Sequence, residues 1–115
     1  MKISTAVAAL AALSHEKRLA IYRMLVQRGP QGYAAGVMAR RLGVAAPILS
    51  FHAKVLEQAD LVQSRQEGRF QFYTVNFAAM SALVGFLSAE CCAQADDGRA
   101  TDCMPAVAIR MRKRA

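Results

Sequence analysis

Apolar residues recur along this chain with two periods, and the switch between them sets out the architecture. In residues 4–12, Val7, Leu10 and Ala11 give one face to an Ala-rich run, and alanine is the strongest helix former. Ser14 is placed to cap a second helix, with Glu16 against its positive end. Leu19, Ile21, Tyr22, Leu25 and Val26 carry that helix to about Gln27, where Gly29-Pro30-Gln31-Gly32 breaks it. Val37 to Leu42 reads as a short third helix. Gly43 closes it, because glycine takes positive φ without steric cost. Pro47 suits the first turn of the next helix, where its missing N–H would be unpaired anyway. Leu49, Ala53 and Leu56 then fall at i, i+4 and i+7, one narrow apolar stripe. Ile48, Ser50, Phe51 and Lys54 lie off that stripe, and His52 sits at its border.

Beyond Leu61 the period drops to two. Phe70, Phe72 and Thr74 alternate with Gln71, Tyr73 and Val75, as in a strand, and Leu61 to Arg65 makes the partner. Gln66-Glu67-Gly68-Arg69 suits a hairpin tip, flanked by Arg65 and Arg69. The helical period returns over about Ala78 to Cys92, where Met80, Leu83, Val84, Leu87 and Cys91 fall at i, i+3, i+4, i+7 and i+11. A lone terminal helix with such a stripe needs something to cover it. After Cys92 the pattern fades into the turn-rich Gln94-Ala95-Asp96-Asp97-Gly98-Arg99. The pattern therefore predicts a mostly α fold of about five helices with a small β-hairpin. Two helices joined by a Gly-containing turn, followed by a basic two-stranded wing, make a winged helix-turn-helix. Residues 1–92 form this domain, and residues 93–115 a basic, cysteine-containing tail.

At 115 residues the chain is one domain, and 55% hydrophobic residues is more than a monomer of this size comfortably hides. The excess points to a partner subunit. A net charge of +7 and a pI near 9.9 favour a polyanionic partner. Part of that charge sits in the tail, in Arg110-Met111-Arg112-Lys113-Arg114. The apolar run after Lys2 is short and Ala-dominated and flows into a helical pattern, so it is not read as a signal peptide. No apolar run approaches the roughly 20 residues that span a bilayer. Three cysteines, two of them adjacent, argue against a structural disulfide framework and for a reducing cytosol.

The chain resembles the ArsR-type metalloregulators, small dimeric bacterial repressors. The matching residues are Leu13-Ser14-His15-Glu16-Lys17-Arg18-Leu19-Ala20-Ile21 and Leu49-Ser50-Phe51-His52-Ala53-Lys54-Val55-Leu56. They continue through Ala59-Asp60-Leu61-Val62 and Arg65-Gln66-Glu67-Gly68-Arg69 to Tyr73. The match ends with Asn76-Phe77-Ala78-Ala79-Met80 and Phe86-Leu87-Ser88-Ala89-Glu90-Cys91-Cys92. The order holds over most of residues 8–92. The resemblance implies a homodimer paired through its terminal helices, here by Met80, Leu83, Val84 and Leu87, and a DNA-binding protein without catalysis. The founding members carry a metal-binding cysteine box on the third helix. Here no cysteine, histidine or carboxylate occurs from Tyr33 through Leu42, so no metal site is expected there.

All three cysteines, Cys91, Cys92 and Cys103, fall within thirteen positions beside that terminal helix. Thiolates select thiophilic ions, and no histidine or carboxylate set competes at ligand spacing. Three thiolates without a clear fourth ligand suit a pyramidal three-coordinate ion rather than tetrahedral zinc. One branch of the family shares this Glu-Cys-Cys end and a later tail cysteine. The resemblance implies As(III) as inducer, with Sb(III) a second. Side chains of consecutive helical residues diverge by about 100°, so both cysteines reaching one ion is expected to require fraying of the last turn. Thiol redox sensing and organoarsenical sensing by the same fold are the alternatives. An arsenate reductase is disfavoured, since its cysteine would belong at a helix N-terminus.

For DNA, the helix from Pro47 is expected in the major groove. Ser50 and His52 would hydrogen-bond bases or phosphates, and Ile48 and Phe51 would meet thymine methyls. Lys54, Arg65 and Arg69 are phosphate contacts, which position without specifying. A cytoplasmic dimer on double-stranded operator DNA, with no membrane partner, is the expectation.

Overall fold

In the computed structural model residues 1–94 are described. They run α1 (Ile3–Leu13), α2 (Glu16–Arg28), β1 (Tyr33–Ala34), α3 (Ala35–Leu42), α4 (Ala46–Gln58), β2 (Val62–Glu67), β3 (Phe70–Val75) and α5 (Phe77–Ser88). The five helices and the hairpin predicted from the pattern are present, and β1 is an addition. Two compact units divide after Leu83, within α5, upstream of the boundary after Cys92 that the composition suggests.

The first unit is built around the α4 stripe. Leu49, Ala53 and Leu56 are all buried, together with Ile21, Leu25, Met38, Leu61 and Val62. Each large aliphatic side chain so buried contributes roughly 1.5–3 kcal/mol relative to exposure. Gly43 ends α3 in the left-handed conformation expected of it, φ +66°, with its N–H directed to the Ala39 and Arg40 carbonyls. That turn sets the course of the chain into α4.

Two local expectations are corrected. Ser14 does not cap α2. Its Oγ donates to the Ala11 carbonyl (2.8 Å) and closes α1, while His15 Nδ1 accepts from the Lys17 N–H (3.1 Å) and caps α2. A ring nitrogen one residue nearer the helix meets the unpaired N–H better than the hydroxyl does. On α1, Ala6, Ala9 and Ala12 face inward and Ile3, Val7 and Leu10 stay exposed. Alanine lets α1 lie close against α2 and α4, which turns the larger apolar face outward.

The sheet is antiparallel, in the order β1-β3-β2. Val62 pairs with Val75, Ser64 with Tyr73 and Glu67 with Phe70, and Tyr33 of β1 pairs with Tyr73. Tyr73 and Val75 take the inward register, leaving Phe70 exposed at the tip. Gly32, at φ +68°, lies so close to β3 that a Cβ would run into the Tyr73 carbonyl.

Asn76 caps α5, accepting from the Ala79 N–H (3.2 Å) while its amide donates to the Asp60 carbonyl (3.0 Å). The helix ends at Ser88, earlier than the expected Cys92. Ser88 Oγ donates back to the Val84 carbonyl (2.8 Å), a contact that competes with helix continuation. Glu90 and Cys92 then take positive φ, +54° and +62°. No helix among the described residues is long and apolar enough to cross a membrane.

Candidate nucleic-acid interface and cysteine turn

The sequence of α4 divides its residues between two tasks. While Leu49, Ala53 and Leu56 anchor the helix, Pro47, Ile48, Ser50, Phe51 and Lys54 stand exposed on the other side. Phe51 is 63% exposed, an unusual cost for a phenyl ring unless something covers it. The residue before the helix is Ala45, so no side chain caps the first turn, and no acidic residue lies there. The positive end of the helix dipole is thereby unopposed by any acidic side chain of its own first turn.

His52 departs from expectation. It is 8% exposed and faces the domain, not the outer side of α4. Arg18 holds it: the guanidinium Nε donates to the Ala12 carbonyl (2.6 Å), and Nη1 donates to His52 Nδ1 (3.3 Å). Arginine has only donors, so Nδ1 must be the acceptor and the proton of the neutral ring sits on Nε2. The His15 ring lies 4.6 Å away, centroid to centroid. Burial, then the charges of His15, Arg18 and Lys17, push the His52 pKa below the ordinary imidazole value. His52 ties α4 to α2; it is not placed to read bases. Position at the border of the stripe was the available signal, and it was ambiguous.

In the wing, Arg65 is held by its surroundings. Its guanidinium pairs with Glu67 (2.8 Å), donates to the Gln31 carbonyl (3.2 Å) and lies 4.9 Å from the Phe72 ring centroid. Arg69 is exposed at the tip beside Phe70, itself 62% exposed. An exposed phenyl ring next to a cation at a wing tip has no counterpart in the expected contacts. The alternation of β3 alone did not tell which face would be outermost.

Of the four expected dimer residues, Val84 and Leu87 are exposed and Met80 is half-buried. Leu83 is only 6% exposed and therefore already spent on its own chain. The exposed Ile3, Val7 and Leu10 of α1 are apolar surface of the same kind, on a helix whose apolar face the sequence showed without its direction.

Cys91 and Cys92 lie beyond α5, in the turn at Ala89–Gln94. Fraying on ion binding was expected of a helix reaching Cys92; instead the helix ends at Ser88, Cys92 is left-handed, and the two sulfurs are 3.7 Å apart. Cys91 is exposed, Cys92 is half-buried, and Ala89, Glu90, Cys92, Ala93 and Gln94 line a shallow concavity. Cys103 lies outside the described residues. Among the described residues no group of three metal-binding side chains is assembled.

A family profile described as a helix-turn-helix domain matches residues 13–65. The HTH-type transcriptional regulator YgaV of Escherichia coli K12 is 33% identical over 82 residues, covering 71% of this chain and 81% of that one. An ArsR-like transcriptional regulator from Rhodococcus sp. RHA1 superposes with a TM-score of 0.65 at 28% identity, covering 74% of this chain and 77% of its own. The homodimeric winged helix-turn-helix DNA-binding domain of Mb0332 from Mycobacterium bovis gives 0.61 at 27% identity, covering 76% and 82%.

Proposed function

The chain belongs to the ArsR-type winged-helix transcriptional regulators, and on that premise we propose that it is an arsenite-responsive repressor that holds operator DNA as a dimer. It is a regulator and not an enzyme. The exposed row Pro47, Ile48, Ser50, Phe51 and Lys54 enters the major groove, Ser50 bonding base edges and Ile48 and Phe51 meeting thymine methyls. Arg65 and Arg69 carry the wing to the phosphates. The partner subunit covers the apolar surface left on α1 and at Val84 and Leu87. The protein works in the cytosol, where its thiols are kept reduced.

The observation that carries the inducer is the pair of sulfurs 3.7 Å apart in a turn that regular helix no longer constrains. Reduced thiolates there present two soft donors to As(III) or Sb(III), and Cys103 of the tail supplies the third. Closing three sulfurs on one ion draws the tail toward the end of α5, and the altered dimer helix re-aims the two DNA-reading heads. The coupling needed is about 1–3 kcal/mol, the usual range for allostery. Ultraviolet absorption of the reduced protein during arsenite titration tests this. One equivalent of arsenite per cysteine triplet is expected, falling away in Cys91→Ser, Cys92→Ser and Cys103→Ser. Ending the chain after Leu87 should abolish induction in cells, and a normally inducible truncation would remove the tail from the mechanism.

The closeness of the two sulfurs also supports a second reading, in which oxidation of Cys91 or Cys92 is the signal. Release of DNA by peroxide, with arsenite inert, would select it. Release only by methylated trivalent arsenicals, with Cys103 dispensable, would instead give a two-thiol organoarsenical sensor.

A further inference from the structure

Three guanidinium groups, from three separate elements, converge on three consecutive residues of the segment leading into β1. Arg65 of β2 donates to the Gln31 carbonyl (3.2 Å), and Arg28 at the end of α2 donates through Nε to the Gly32 carbonyl (3.1 Å). Arg41 at the end of α3 donates through Nη1 to the Tyr33 hydroxyl (3.0 Å). The guanidiniums of Arg28 and Arg41 both lie over the Tyr33 ring, 4.9 and 5.0 Å from its centroid. The segment itself is fixed, since Gly32 abuts the Tyr73 carbonyl and Tyr33 is paired with Tyr73.

Charge on this platform is unbalanced. The one ion pair among the described residues is Arg65 with Glu67, so Arg28 and Arg41 stand over the same ring with no carboxylate between them. Each guanidinium has five N–H donors, and each of these two gives one to protein, so most of the fork remains for an anion. Both residues are exposed. A tyrosine ring that holds two arginine planes in place presents their unused donors as a pre-set pair, at small entropic cost to a ligand. The platform draws on the two elements expected at DNA: Arg41 stands just before the Gly43 turn into α4, and Arg65 belongs to the wing.

We propose that Arg28 and Arg41, held on Tyr33, form a phosphate clamp for the DNA backbone, separate from the base-reading row of α4 and from the wing tip. The proposal rests on the DNA-binding reading above. The clamp binds phosphodiester oxygens without regard to sequence, lengthening the footprint of each subunit and fixing its register on the duplex.

The test is fluorescence anisotropy at several salt concentrations with two labelled duplexes, one from upstream of the gene and one of scrambled sequence. For the upstream duplex, the slope of log K against log salt should fall by about 0.9 in Arg28→Gln and again in Arg41→Gln, as each phosphate contact is lost. Affinity for both duplexes should drop together, leaving their ratio unchanged. Arg28→Lys with Arg41→Lys keeps the charge, so it should restore most of the slope even if a glutamine variant folds poorly. Tyr33→Leu, which keeps both cations but removes their support, should weaken binding at unchanged slope. A double glutamine variant that folds and retains the wild-type slope overturns the clamp. Failure of the wild type to bind either duplex would instead overturn the DNA-binding reading on which the clamp rests.

Discussion

The recognition helix α4 and the turn after α5 both carry exposed side chains with chemistry to offer, yet they are held in opposite ways. On α4 every exposed residue is backed by a buried one: Leu49, Ala53 and Leu56 lock the helix, and His52 adds a bond to Arg18 on its inner side. In the turn, Cys91 and Cys92 sit among residues exposed or half-buried, with positive φ at Glu90 and Cys92. A surface that must match a fixed DNA geometry gains from a rigid mount. A sensor that must rearrange around a small ion gains from a segment whose opening costs little. The contrast in burial between the two regions matches the division of tasks in the proposed function.

The sharpest way to break that contrast is to remove an anchor. Leu56→Ala should destabilise the fold by about 2–5 kcal/mol in urea unfolding, whereas Cys91→Ser should stay within about 0.5 kcal/mol. Comparable losses would mean that the cysteine turn is part of the core. Next in size, Phe51→Ala should cost about 1–3 kcal/mol of specific binding with little change on scrambled DNA, measured by competition anisotropy. Arg69→Gln should do the reverse, weakening both duplexes and lowering the salt slope by about 0.9. The smallest effect concerns His52. Its folded pKa is depressed, so as pH falls the unfolded chain takes up the proton first. Its contribution to stability is complete above about pH 6.5 and is lost as pH falls through the folded value. Unfolding midpoints compared at neutral and mildly acidic pH should converge in His52→Gln.

Much of this was legible in the sequence, for a reason that also explains what was not. The stripe of Leu49, Ala53 and Leu56 and the left-handed Gly43 are local signals, and the structure uses both as read. Residues at borders were harder. His52 could face either way until Arg18, thirty-four positions distant, was brought to it. Strand β1 is two residues long and exists only because β3 offers it an edge, so no periodicity could reveal it. On α1 the periodicity showed a face of Val7, Leu10 and Ala11 but not its direction, and close packing put Ala6, Ala9 and Ala12 inward. The end of α5 was misplaced because Cys91 continues the apolar stripe past the point where Ser88 and two left-handed residues end the helix. The pairing of Arg28 and Arg41 on the Tyr33 ring, with Arg65 on the neighbouring Gln31 carbonyl, is a purely tertiary feature.

In the proposed function, DNA holding resides in the winged-helix head and its release in the cysteine turn. Anisotropy of a labelled upstream fragment, titrated with arsenite under reducing conditions, tests it in wild type and in the Cys91→Ser, Cys92→Ser double variant. Equal affinity for DNA before arsenite is added, followed by release of the wild type alone, is the predicted result. Loss of DNA affinity in the variant before any arsenite, or release of both proteins by it, would contradict the division between head and turn.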